Sequence, residues 1–267
     1  AQSPEGRKIR YYTPIAGERK YFEEDTYCCP NNYRRVISEL PGYLYYRYKN
    51  GIAINLYAPS KAIIDQMEVP VTIKQITDYP NSGVVKIVVS TTSPSRFPLW
   101  LRIPSWVENP NVSFDINSKK TVKPGSFIKI ERQWSGNDTI RLNIPMDWRF
   151  IRGRQRQSGR IAIMRGPIIY CLNPELNKGL GFENMNSYDL GRIIIDPGSV
   201  RGPFPDKTVR PEGTKCMIGA WSEGHGMGGE HDFELVLTEF IDPNGEVCYF
   251  SVRDFQTGED DGLLKLK

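Results

Sequence analysis

The chain has 267 residues, with 35 basic and 31 acidic side chains and a net charge of +4 at neutral pH. That balance is too even to argue for a nucleic-acid partner, and no run of about 18 apolar residues exists to span a membrane. The length leaves room for one large or two medium domains with a buried core.

The start, Ala1-Gln2-Ser3-Pro4-Glu5-Gly6, is polar and lacks an apolar signal segment. Either a leader has been removed or this is a piece of a longer chain. Cys28 and Cys29 follow, adjacent to each other. Neighbouring Cα atoms lie about 3.8 Å apart across a trans peptide, short of the usual disulfide span. Two thiols that share one place without pairing point to soft-metal ligation, a nucleophile, or both; a chance core pair is the plain alternative. Asn31 or Asn32 can cap a helix with apolar positions at Tyr33, Val36, Ile37 and Leu40, ending at Pro41-Gly42. The thiols then sit just before a helix N-terminus, where unpaired amides favour a thiolate.

Strand signals dominate from there. Tyr43 to Tyr48 and Ile52 to Tyr57 flank the turn Lys49-Asn50-Gly51. Val69 to Ile76 and Val84 to Thr91 form a second hairpin across Tyr79 to Gly83. Phe97 to Ile103, Val112 to Ile116, Phe127 to Arg132 and Thr139 to Ile144 continue the series, followed by Ile161 to Met164 and Pro167 to Leu172. Many short strands at this spacing predict a mainly β chain of β-sandwich domains, with one short helix near the N-terminus. From Asn173 to about Pro211 the pattern weakens to an irregular connection with one strand at Arg192 to Ile195. A final β block runs from Thr214 to Phe255, with a hairpin of Phe233 to Phe240 and Glu246 to Val252 around Asp242-Pro243-Asn244-Gly245. The acidic tail from Gly258 to Gly262 reads as mobile. The expected division is 1–42, 43–173 and 174–267.

Other candidate residues are weaker. Five cysteines over this length are not a disulfide framework. Cys171 and Cys248 lie in apolar runs and read as small core residues. His225 and His231, the only histidines, have flanking carboxylates and can ligate zinc, but they fit no zinc spacing; a polar loop is the simpler account. Glu18, Glu23, Glu24 and Asp25, near the thiols, qualify by composition as zinc ligands or proton donors, but three consecutive acids more often form a solvated stretch. Five arginines from Arg149 to Arg160 read as a solvated loop or strand edge.

Several motifs in order resemble one family. Tyr12-Thr13-Pro14-Ile15 and Cys28-Cys29-Pro30-Asn31-Asn32 with Arg34 or Arg35 are similar to the end of the catalytic domain of glycoside hydrolase family 127, the β-L-arabinofuranosidase type. Phe97-Pro98-Leu99-Trp100-Leu101-Arg102-Ile103-Pro104-Ser105-Trp106, then Ile130 to Trp134 with Asp138, Leu142 and Pro145-Met146, then Arg165-Gly166-Pro167-Ile168-Ile169-Tyr170 continue it collinearly over roughly residues 10 to 173. Asn31 departs from the family's usual second proline.

The resemblance implies an (α/α)6 catalytic barrel followed by β-sandwich domains, with most of the barrel missing here. It implies that Cys28 is the nucleophile of a retaining mechanism and that zinc is held at the pair, making Cys28 and Cys29 the candidate metal residues. The remaining zinc ligands and the general acid/base Glu belong to the barrel. The chain alone is then expected to be inactive. The implied partners are a plant-type glycan or oligosaccharide and the missing barrel, in cis or in trans, with a homodimer allowed; the implied location is periplasmic or secreted. The alternative is an accessory β-sandwich module that braces a barrel, dimerises, or binds carbohydrate through Trp100, Trp106, Trp134, Trp148 or Trp221, although core packing is the ordinary fate of such rings.

Overall fold

The computed structural model describes residues 8, 10, 13–21, 28–114, 120–182, 184–224 and 229–260. Tyr12, Glu23, Glu24, Asp25, Ile116, His225, Asp261 and Gly262 lie outside them. The chain is mainly β, as expected, with its strands in two sheets. It divides into two compact units, Asn31–Asp147 and Ala1–Pro30 with Trp148–Lys267.

Near the N-terminus, α1 (Cys28–Glu39) runs into a 3-10 turn over Leu40–Tyr43. Pro41 and Gly42 stop the helix there, as predicted. The Asn31–Asp147 unit then holds β1 (Tyr45–Tyr48), β2 (Gly51–Ile54), β3 (Ser60–Ile64), β4 (Val71–Thr77), β5 (Val84–Ile103), β6 (Asn111–Ser113), β7 (Lys120–Thr121) and β8 (Ser126–Asn143). Strand order is β1-β2-β5-β8-β6-β7, with β4 joining β5 and β3 pairing β4.

The long strands make this unit. β5 and β8 pair from Val84↔Asn143 to Thr91↔Gly136, slip, and resume from Ser95↔Trp134 to Ile103↔Ser126. The first half of β5 pairs with β4 and the second half with β2. Both halves feed one apolar core: Val85, Ile87 and Val89 from the first, Phe97, Leu99, Leu101 and Ile103 from the second. The sheet therefore bends at the slip and closes over its own inner face. The sequence predicts four strands where the structure has two, because a bulge bends a strand without ending its ladder.

The second unit contains β9 (Trp148–Arg152), β10 (Arg160–Arg165), β11 (Ile168–Leu172), α2 (Ser187–Leu190), β12 (Ile194–Ile195), β13 (Arg201–Pro205), β14 (Thr214–Trp221), β15 (Phe233–Glu239) and β16 (Tyr249–Val252). Six of these strands form a closed ring, β10-β16-β12-β14-β15-β11 and back to β10. β9 lies against β10, and β13 against β14. Ile161, Ile163, Tyr170, Leu172, Ile218, Leu235, Leu237 and Phe250 are fully buried in its core.

Three expectations change here. The structure divides the chain at Asp147/Trp148 rather than after residue 173, since β10 and β11 pair with β16 and β15. The predicted hairpin between residues 233–240 and 246–252 does not form: β15 lies between β14 and β11, and β16 between β12 and β10. The first part of the acidic tail is held, not loose. Glu259 and the backbone of β9 exchange hydrogen bonds, Glu259 N to Phe150 O at 2.7 Å and Arg152 N to Glu259 O at 2.9 Å. Arg149 and Arg152 add ion pairs to Glu259 and Asp260, at 2.7 and 3.1 Å. The arginine run is a strand edge that collects the tail.

Candidate catalytic and binding residues

α1 begins at Cys28 itself, so the cysteine pair forms the first helical turn instead of preceding it. The expected caps, Asn31 and Asn32, lie inside the helix. Pro30 explains the shift: in a first turn its missing N–H would have had no intrahelical partner. Cys28 is exposed, and so are Arg34 and Arg35. The helix also leaves Val36 and Ile37 exposed by 55% and 51%, and the 3-10 turn that continues it leaves Leu40 exposed by 44%. These are the positions that the helical spacing predicts as an apolar face.

A structural zinc site needs four ligands. Among the described residues no three His, Cys, Asp or Glu side chains come together in a group that could hold a metal. Glu18 makes a surface ion pair with Lys20 at 2.7 Å. His231 is engaged elsewhere: its Nε2 lies 3.0 Å from Asp196 Oδ2, and its ring packs on Trp221 with centroids 4.6 Å apart. Gly219 makes room for that ring, since a Cβ there would stand 2.4 Å from it. The described residues do not by themselves make a closed zinc site.

The tryptophans mostly serve packing. Trp134 is fully buried and its Nε1 donates to Phe97 O at 2.8 Å. Trp148 packs on Tyr170, and Trp221 is buried with the Arg253 guanidinium 3.5 Å over its ring. Trp100 is half-buried, with the Tyr48 ring edge-on at 5.0 Å.

Sequence reasoning missed a buried polar network. Arg19, 6% exposed, donates from Nη1 to the carbonyl oxygens of Phe240 and Asp242, and its Nη2 lies 3.8 Å from Cys248 Sγ. Asp242 accepts through its carboxylate from Asn173 Nδ2 at 2.9 Å, Thr238 Oγ1 at 2.6 Å and the Asn244 amide at 2.8 Å. Nearby, Glu239 accepts from Arg210 Nε and Nη2 at 2.5 and 2.7 Å and from the Thr214 amide and hydroxyl, both at 2.9 Å. The one local signal was Asp242-Pro243-Asn244-Gly245, whose turn chemistry is real. Nothing in the sequence tied it to Arg19.

Fold and site together define a class: a chain of two β units led by a helix whose first turn carries adjacent cysteines. Residues 51–146 match the family model described as "Beta-L-arabinofuranosidase, GH127 middle domain". The chain is 29% identical over 162 residues to the non-reducing end β-L-arabinofuranosidase of Bifidobacterium longum subsp. longum, covering 57% of this chain and 24% of that protein. The fold is similar to that of a GH127 β-L-arabinofuranosidase from Geobacillus stearothermophilus T6, with a TM-score of 0.77 and 22% identity over 94% of this chain and 44% of that one. It is also similar to the GH127 β-arabinofuranosidase BT3674, with a TM-score of 0.73 and 22% identity over 97% and 44%. The chain is therefore GH127-like in part, and spans less than half the length of these relatives.

Proposed function

We propose that this chain is the β-domain portion of a retaining GH127-type glycoside hydrolase acting on L-arabinofuranosides or a related sugar, and that it is inactive alone. The observation that carries this reading is the middle-domain match over residues 51–146, preceded by the cysteine-led α1, in a chain covering 44% of the solved relatives. In the complete enzyme Cys28 is the nucleophile: its thiolate attacks the anomeric carbon, a protonated carboxyl group from the barrel releases the leaving alcohol, and the same group activates the water that cleaves the thioglycoside. Cys28 and Cys29 contribute to a zinc site only with ligands from outside the described residues.

The test is hydrolysis of an aryl β-L-arabinofuranoside by the chain alone and after co-expression with the catalytic barrel of a GH127 relative. The expected result is no turnover alone, turnover with the barrel, and loss of that turnover in Cys28→Ala. Turnover by the isolated chain at an enzymatic rate would overturn the proposal.

A second reading, an accessory module that braces a barrel, is favoured by the exposed apolar stripe of Val36 and Ile37 on α1, continued by Leu40 and Tyr43 in the 3-10 turn, the last at 42% exposure. A helical stripe of this kind ordinarily faces a partner.

A further inference from the structure

Cys171 and Cys248 are the only pair of described thiols that the fold sets face to face. Leu172 and Val247 are antiparallel partners, which puts Cys171, at the end of β11, directly opposite Cys248. The Cys248 amide donates away from β11, to Ile15 O at 3.0 Å. Opposed residues of such a non-hydrogen-bonded pair have Cα atoms about 4.5 Å apart, inside the window a disulfide spans. Both residues are buried, at 0% and 1% exposure. Cys171 Sγ is closely flanked: it lies 3.5 Å from Glu239 O and 3.9 Å from Thr238 Oγ1, and a Cβ on Gly245 would stand 2.4 Å from it.

We propose that Cys171 and Cys248 are a redox-active pair that a low-molecular-weight disulfide oxidises to an internal disulfide, pinning residues 246–248 to the end of β11. Both sulfurs are buried, so the exchange runs when residues 246–248 part from the end of β11. One of the two thiols gives up its proton and attacks one sulfur of R–S–S–R, forming a mixed disulfide and releasing RS⁻. The other thiol then gives up its proton and attacks the protein sulfur of that mixed disulfide, releasing the second RS⁻. The dithiol loses two electrons and two protons, and R–S–S–R becomes two R–SH. An oxidising compartment closes the pair and a reducing one keeps it open.

Residues 246–248 also carry the segment near the start of the chain, through the Ala16↔Val247 pair and the bond from Gly17 N to Glu246 O at 2.9 Å. Closing the disulfide thus fixes one of the two neighbours of a three-strand junction.

The experiment refolds the chain from urea in a buffer of glutathione and glutathione disulfide, alkylates remaining thiols in denaturant, digests, and searches by mass spectrometry for peptides joined through Cys171 and Cys248. The expected result is that linked pair, two fewer alkylated thiols per chain, and a rise in Tm of about 5 °C or more. A Cys28→Ser, Cys29→Ser double variant, which removes the competing pair on α1, should give the same link. Recovery of Cys171 and Cys248 as alkylated thiols in both proteins, or linkage of either to another cysteine, would overturn the proposal without bearing on the glycosidase reading.

Discussion

Arg19 donates from Nη1 to the carbonyl oxygen of Asp242 at 2.7 Å, joining positions 223 residues apart in the chain. The same guanidinium satisfies Phe240 O and stacks over the Phe240 ring at 4.4 Å from its centroid. One side chain thus fixes the segment at residues 13–20 to the turn after β15.

Replacing Arg19 by Ala takes the side-chain donor from Phe240 O, leaves Asp242 O with the Gly245 amide at 3.2 Å, and removes the ring contact. The expected loss is about 2–4 kcal/mol of unfolding free energy, measured by urea denaturation. Arg19→Lys keeps one donor but not the fork, and should fall between wild type and Ala. A loss under about 0.5 kcal/mol in Arg19→Ala would show that this segment contributes little to the unit.

Elemental analysis of the purified chain should find zinc well below one atom per chain, and Cys28→Ala and Cys29→Ala should not lower it further. The reasoning is coordination number: two adjacent thiols supply half of a four-ligand set. Stoichiometric zinc that disappears in both variants would mean that this chain completes a site, alone or with a second copy.

Alkaline pH should destabilise the second unit. Burial pushes the Tyr170 phenol up to about 12, while an unfolded tyrosine ionises near 10. The folded state therefore retains a proton that the unfolded state loses. The stabilisation is complete below pH 10 and declines as pH rises toward 12, by roughly 1.4 kcal/mol per pH unit for this one group. Tyr170→Phe should be less stable near neutrality, since it loses the bond to Thr214 Oγ1 at 2.8 Å, yet show a shallower decline between pH 10 and 11.5. Equal slopes for the two proteins would remove Tyr170 from the account.

Charged substitutions on the α1 stripe separate packing from docking. Val36→Glu with Ile37→Glu should change the urea midpoint by no more than about 0.5 kcal/mol equivalent, since both side chains are more than half exposed. The same double variant should abolish complementation by a co-expressed catalytic barrel. Undiminished complementation would remove the stripe from the docking surface.

The elements legible in the sequence were those written in local signals. Lys49-Asn50-Gly51 gives the β1–β2 hairpin because its turn chemistry is self-contained, with Lys49 at φ 54. β4 announces itself through buried Val71, Ile73 and Gln75 alternating with Thr72 and Lys74. Longer-range pairing was not legible. The Asp242–Gly245 turn has hairpin residues, yet the edge of β15 that a hairpin would use is taken by β11 through Tyr170↔Glu239. β9 and β13 escaped because Arg149, Arg152, Pro203 and Pro205 dilute their strand pattern. For the site, the adjacency of Cys28 and Cys29 was visible, but the opposition of Cys171 and Cys248 exists only in the register of strands far apart in sequence.

The ring of six strands has a bearing on how this chain behaves in a crowded solution. A sheet closed on itself offers no terminal ladder for another molecule to extend. The two strands outside the ring are protected differently: Glu259 covers the outer backbone of β9, and prolines 203 and 205 remove donors from β13. The thinnest link is β12, only two residues long, between β14 and β16. Opening there would expose two unpaired ladders at once, so self-association of this unit should begin at Ile194 and Ile195.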